Sequence, residues 1–252
     1  MGEHSFKTLS RIAVMAMTLF AGDAYAQEIN IYQAIIGEPD QKTQEVSTEQ
    51  MRRIVSDGSA IILDTRPHDE FVNGHIPGAR NLKGSPEEAM AAVEQLVDGD
   101  KSKALVLYCN GPFCQASRRM SEQLLDAGFI NVRRYQLGMP IWRALGGPTE
   151  VELEGVVRVF KNDHTAVFFD ARSAEEFAEE SLPRARNLPL AAAATVRGKP
   201  MPLDDFNTRI VLFGRDAAQA RALADALSKR PWHNVAYYPG SFETLSTAVK
   251  GE

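Results

Sequence analysis

The sequence predicts an α/β protein built from two copies of one domain, each a doubly wound, mainly parallel sheet with helices on both faces. Three observations carry that expectation. The segment Asp64 to Leu82 lies over Asp170 to Leu188 at a constant offset of 106, without a gap, and nine of the nineteen positions are identical. A repeat of that length is a duplicated domain, since solenoid units recur at much shorter periods. Short apolar runs alternate with helical segments, the pattern of a parallel sheet covered on both sides. One of those runs, Ala104 to Tyr108, ends at Cys109, and the carboxyl ends of strands are where open α/β sheets bind ligands.

The elements follow in chain order. Lys7 and Arg11, the apolar run Ile12 to Phe20 and the small-residue site Ala24-Tyr25-Ala26 have the order of a signal peptide. Residues 1–26 are therefore expected to be removed after Ala26, which predicts a periplasmic or secreted protein. Residues 27–46 read as an N-terminal extension without a strong pattern. The first domain is expected over 47–148. Thr48 to Val55 is a helix, with Ser47 and Gln50 placed for a capping box. A buried strand Ile61-Ile62-Leu63 follows, then Asp64-Thr65-Arg66, a polar helix, the strand before Cys109, a helix from Ser117 and a strand Val132 to Tyr135. Gly128 stands where a helix ends, and the linker is placed near Gly146-Gly147-Pro148-Thr149. The second domain, 149–252, repeats this order.

Composition excludes several function classes. The net charge is −5 over 252 residues, and the basic residues form no stripe for nucleic acid. No segment after the presegment is long and apolar enough to span a membrane. No glycine-rich phosphate fingerprint is present, so no cofactor is expected. The chain has two cysteines, too few for a disulfide-stapled scaffold. Without a nearby histidine pair they make a poor zinc site, and no metal is expected.

The two cysteines nevertheless point to chemistry. Cys109 lies between a strand end and the turn-rich segment Asn110-Gly111-Pro112-Phe113-Cys114-Gln115-Ala116. A thiol facing a helix N-terminus is favoured as thiolate, the nucleophilic form. Cys114 has three open readings: resolving partner of a persulfide, one half of a loop disulfide with Cys109, or loop filling. Arg118 and Arg119 follow the loop, and at most one of them points at the pocket, because adjacent helical residues diverge by about 100°. Asp64, Arg66 and His75 are expected to hold the fold rather than touch substrate.

These motifs resemble those of the rhodaneses. The residues that carry the resemblance are Asp64-x-Arg66, Glu70-Phe71, Gly74-His75-Ile76-Pro77-Gly78-Ala79, Tyr108-Cys109 and the closing Leu137-Gly138-Met139-Pro140-Ile141-Trp142. The resemblance covers nearly the whole chain after the presegment, as a tandem pair. It implies two rhodanese-like domains, a persulfide on Cys109, and transfer of sulfur from a small donor anion such as thiosulfate to a thiol or cyanide. Backbone N–H groups of Asn110, Gly111, Phe113, Cys114 and Gln115, with Arg118 and Arg119 just beyond, would form the substrate loop. Gly214 replaces the cysteine in the second copy, so that domain is expected to be inactive and to serve the cleft or a protein partner. From Cys109 to Asn131 is two positions longer than from Gly214 to Asn234. The wider loop resembles that of the cell-cycle phosphatases, but Gln115 stands where their phosphate-binding arginine is needed. Two rival functions stay open: a dithiol redox protein using Cys109 and Cys114, and a non-catalytic binding module.

Overall fold

The computed structural model describes residues 40–193 and 205–251. The presegment with its site at Ala26, and residues 27–39 of the extension, lie outside the described residues. The two halves form two five-stranded sheets, every strand pair in them parallel.

The first sheet has the order β1-β5-β4-β2-β3, from β1 (Gln44–Glu45), β2 (Ile61–Asp64), β3 (Arg80–Asn81), β4 (Leu105–Tyr108) and β5 (Val132–Tyr135). Its helices are α1 (Thr48–Asp57), α2 (His68–Val72), α3 (Pro86–Leu96), α4 (Gln115–Asp126) and α5 (Gly138–Ala144). One face packs Met51, Ile54, Val106, Tyr108 and Trp142, the side of α1 and α5. The other packs Val93, Leu105, Leu107, Met120 and Leu124, the side of α3 and α4. All four residues of β4 are buried, because the central strand is covered on both faces. That is why it reads as an unbroken apolar run.

The second sheet repeats the order as β6-β10-β9-β7-β8, from β6 (Thr149–Glu150), β7 (Val167–Asp170), β8 (Arg186–Asn187), β9 (Ile210–Phe213) and β10 (Val235–Tyr237). Its helices are α6 (Leu153–Asn162), α7 (Ala174–Glu179), α8 (Leu190–Ala193), α9 (Ala217–Leu227) and α10 (Phe242–Lys250).

Local sequence accounts for the helix starts. Ser47 with Gln50, Ser85 with Glu88 and Ser173 with Glu176 each close a reciprocal capping box; a serine cap of this kind contributes about 1 kcal/mol. Several boundaries differ from the sequence reading: α1 runs on to Asp57 and β2 to Asp64, and two differences are larger. Gln44–Glu45, placed in the extension, pairs with β5 as the edge of the first sheet, a strand too short to show alternation. The helix expected from Ser117 begins at Gln115, with Cys114 as its N-cap. Cysteine is not a capping residue, so no local signal marked that start.

Candidate active site

The active-site candidate is built on the carboxyl end of β4. Tyr108 sits opposite both Asp64 and Tyr135 in the parallel register, so the next residue, Cys109, leaves the sheet at its centre. Cys109 is 3 % exposed. Six residues, Cys109 to Cys114, separate β4 from α4. Gly111 has φ +102°, a conformation that glycine adopts without penalty. It lets the chain reverse so that the Cys114 N–H donates to the Gly111 carbonyl at 3.0 Å.

That turn brings the two cysteines together: Cys109 and Cys114 form a disulfide, with Cα atoms 6.1 Å apart. Of the three readings open for Cys114, the loop disulfide is therefore the one present. Both sulfurs stand at the N-terminal end of α4, where the N–H groups of the first turn have no helical acceptor. The sequence-predicted loop divides differently from expectation. Cys114 spends its N–H inside the turn, and Gln115 belongs to α4. Phe113 is 83 % exposed at the loop tip. Arg118 is committed along the helix, its Nε donating to Glu122 Oε1 at 3.0 Å, because the i,i+4 neighbour is the nearest anion. Arg119 is exposed.

Two devices hold the loop in place. Asn110 Nδ2 donates to Glu70 Oε2 at 2.6 Å, and Glu70 lies 3.9 Å from the Arg66 guanidinium. On the other side the Met139 N–H donates to the Cys109 carbonyl at 3.1 Å. Gly138, at φ +59°, is packed so closely that a Cβ there would sit 2.2 Å from the Cys109 carbonyl oxygen and 2.5 Å from Gly111 N. The closing Leu137-Gly138-Met139 segment is thus a backbone wall of the site, a role that sequence reading did not assign to Gly138.

Asp64 and Arg66 form the base below. Asp64 is fully buried and accepts from the Arg66 backbone and guanidinium and from the Tyr108 hydroxyl. Burial, with the Asp64 carboxylate adding to it, pushes the Tyr108 phenol well above its ordinary value. Tyr108 is thereby fixed as a donor to Asp64 and an acceptor from the Ile76 N–H. Arg66 also reaches the Gly74 carbonyl at 2.9 Å. These contacts are internal and none reaches the cysteines.

His75 lies elsewhere, at the joint between the domains. Its Nδ1 pairs with the Phe71 carbonyl at 3.0 Å. A carbonyl only accepts, so Nδ1 carries the proton. Nε2 faces Glu150 at 3.7 Å and Glu152 at 4.0 Å. These three residues gather ligand atoms within 4.8 Å and are the group among the described residues with metal-ligand character. A cavity of ≈ 790 Å³ lined by Arg52, Trp142, Arg221, Lys229 and His233, among others, also lies between the domains. Neither cysteine lines it.

The second copy has no counterpart to the loop. Three residues, Gly214 to Asp216, join β9 to α9. Asp216 caps the helix by accepting from Gln219 N, and Gln219 Oε1 folds back onto the Arg215 N–H at 2.8 Å. A Cβ at Gly214 would lie 2.7 Å from that oxygen. The space that holds a sulfur in the first domain is filled here by a glutamine.

Comparison with known proteins agrees with this duplication. Among curated proteins, an HTH-type transcriptional regulator of Mycobacterium tuberculosis is 28 % identical over 138 residues, covering 54 % of this chain and 57 % of the regulator. A tRNA uridine(34) hydroxylase of Hamiltonella defensa is 28 % identical over 145 residues, covering 56 % of this chain and 38 % of the hydroxylase. The chain thus spans less than two thirds of the length of these relatives. Among solved structures, a thiosulfate sulfurtransferase of Pseudomonas aeruginosa aligns over 77 % of this chain and 43 % of its own, at 23 % identity and a TM-score of 0.35. A 3-mercaptopyruvate sulfurtransferase-type protein of Escherichia coli aligns over 79 % of this chain and 98 % of its own, at 20 % identity and a TM-score of 0.33. The rhodanese-like domain model matches twice, over residues 47–145 and 157–248. With one match on each sheet and most of the chain covered, the protein belongs to the rhodanese-like domain family, as a tandem member.

Proposed function

We propose that this chain is a sulfurtransferase whose nucleophile is the Cys109 thiolate of the reduced protein. One observation carries the reading: Cys109 leaves the centre of the first sheet into a six-residue loop at the N-terminus of α4, whereas the second domain has glycine in a three-residue loop. Thiolate attack on the outer sulfur of a donor such as thiosulfate releases sulfite and leaves a persulfide on Cys109. Backbone N–H groups at the helix start stabilise the negative charge. A thiol or cyanide then removes the outer sulfur, a two-step exchange with ping-pong kinetics. In this reading the second domain is silent at Gly214 and shapes the cleft or meets a protein partner. The protein works in the periplasm or outside the cell, on the strength of residues 1–26. Among the described residues no helix is long and apolar enough to cross a membrane.

The test is thiocyanate formation from thiosulfate and cyanide by fully reduced protein. Cys109→Ser is expected to abolish it while leaving the fold intact; full activity in that variant rejects the assignment. The disulfide favours a second reading, a dithiol redox protein. That reading expects reversible exchange with a thiol buffer and no sulfur transfer from any donor.

A further inference from the structure

We infer that Cys114 is the resolving thiol of the Cys109 persulfide, so that the chain reduces a transferred sulfane sulfur to hydrogen sulfide and ends its turnover as the Cys109–Cys114 disulfide. The inference rests on the sulfurtransferase reading of Cys109 and adds a second reactive residue and a product to it.

The geometry of the loop carries it. Cys114 is the N-cap of the twelve-residue α4, so its sulfur stands at the positive end of the helix dipole, as the attacking sulfur of an exchange requires. The turn from Gly111 to Cys114 aims it back at Cys109, and the two sulfurs bond with β4 and α4 both intact. Cys109 is almost fully buried, whereas Cys114 is half-buried at the loop surface. The inner sulfur of a persulfide on Cys109 is therefore shielded from a bulky outside thiol, while a thiol of the same loop already stands within bonding distance. Holding the two reactants in one loop replaces a bimolecular step with a unimolecular one. The second domain has neither the cysteines nor the three extra loop residues that make the turn. This chemistry is confined to one half of the molecule.

The balance closes on named groups. The Cys114 thiolate attacks the Cys109 Sγ of Cys109–S–SH. The Cys109–Cys114 S–S bond forms, the bond to the outer sulfur breaks, and HS⁻ leaves with that electron pair, as in any thiol–disulfide exchange. The outer sulfur gains two electrons and the two cysteines together lose two. A dithiol reductant, protein or small molecule, then returns two electrons and two protons to open the disulfide. The class of reaction that must follow this one is accordingly one that consumes sulfide.

The experiment is a single turnover. Full-length protein is reduced, freed of reductant, and mixed with thiosulfate or 3-mercaptopyruvate without any added thiol; intact mass and released sulfide are read together. Wild type is expected to release one equivalent of sulfide and to become two hydrogens lighter. Cys114→Ser keeps a good N-cap; it is expected to stop one sulfur atom heavier, release no sulfide, and give up that sulfur as thiocyanate when cyanide is added. Wild type that remains one sulfur heavier with no sulfide overturns the resolving role and leaves the sulfurtransferase reading standing. Cys114→Ser that takes up no sulfur from either donor removes the sulfurtransferase reading, and this inference with it.

Discussion

At the scale of single residues, the two copies solve one problem in two ways. A buried aspartate, Asp64 or Asp170, is neutralised by the arginine two positions on, and each carboxylate needs one more donor. In the first domain the Tyr108 hydroxyl supplies it from 44 residues away. In the second, where Phe213 stands in the place of Tyr108, Ser181 Oγ donates to Asp170 at 3.0 Å. Ser181 in turn occupies the repeat position of His75, which is turned away to the joint. Tyr108→Phe strips a buried carboxylate oxygen and the Ile76 N–H of their partner without opening a cavity. It is expected to cost about 1–3 kcal/mol, read as a lower urea midpoint of the first domain. An unchanged midpoint means that Arg66 alone satisfies Asp64. The Asp-x-Arg pair was legible in the sequence because both members are local. Their third partner was not, because it comes from another strand.

At the scale of elements, the site is made where a strand, a loop and a helix N-terminus meet against the start of α5. Apolar strand and polar helix were readable, and so was the cysteine between them. The start of α4 was not, since a cysteine N-cap carries no recognisable signal. The wall behind the loop was also invisible, because Gly138 meets Cys109 and Gly111 only through backbone atoms. Gly138→Ala drives a methyl group into that backbone at a left-handed position. The loop must move by about an ångström, and a shift of that size at a reacting centre costs of order 100-fold in rate. Sulfur loading of Cys109 is expected to fall by that factor, measured by mass in a timed quench. The second domain, which Gly138 does not touch, should keep its unfolding midpoint. Loading at the wild-type rate would show that the loop tolerates displacement.

At the scale of the whole molecule, backbone hydrogen bonds and the cluster of His75, Glu150 and Glu152 are among the contacts that join the domains. His75 and Glu150 exchange both backbone hydrogen bonds at 2.9 Å, and the Glu152 N–H donates to the Val72 carbonyl. A Cβ on Gly155 would lie 2.0 Å from that carbonyl oxygen, so α6 packs against the end of α2 with no side chain between. Burial alone would raise the Glu150 carboxyl. His75, the Tyr237 hydroxyl at 2.9 Å and the Gly78 N–H outweigh it and hold the group below its ordinary value of 4.5. A carboxyl lowered on folding contributes stability that is complete above its ordinary value and is lost as pH falls through the folded one. The joint is therefore expected to weaken as pH drops below 4.5, and Glu150→Gln should flatten that part of the stability profile. Chemical unfolding at about pH 5, 4 and 3, on both sides of the ordinary carboxylate value, measures it. Parallel profiles for the two proteins would show that Glu150 does not set the acid limit.

The amino-acid sequence by itself determined the duplication, the parallel α/β class, the capping box of α1 and the cysteine at the end of the central strand. All of these rest on spacing along the chain or on identity between its halves. Only the tertiary structure decided that Cys114 meets Cys109, that Arg118 turns to Glu122, that Gly138 walls the loop and that His75 faces Glu150 and Glu152. The last two contacts join residues distant in sequence. The first turns on where α4 begins, since a helix start without a capping side chain leaves no trace in local pattern; the second is a choice among charged neighbours that folding makes. The difference between the halves, a cysteine loop in one and Gly214 in the other, is written in the sequence, whereas the shape of that loop is set by packing around the central strand.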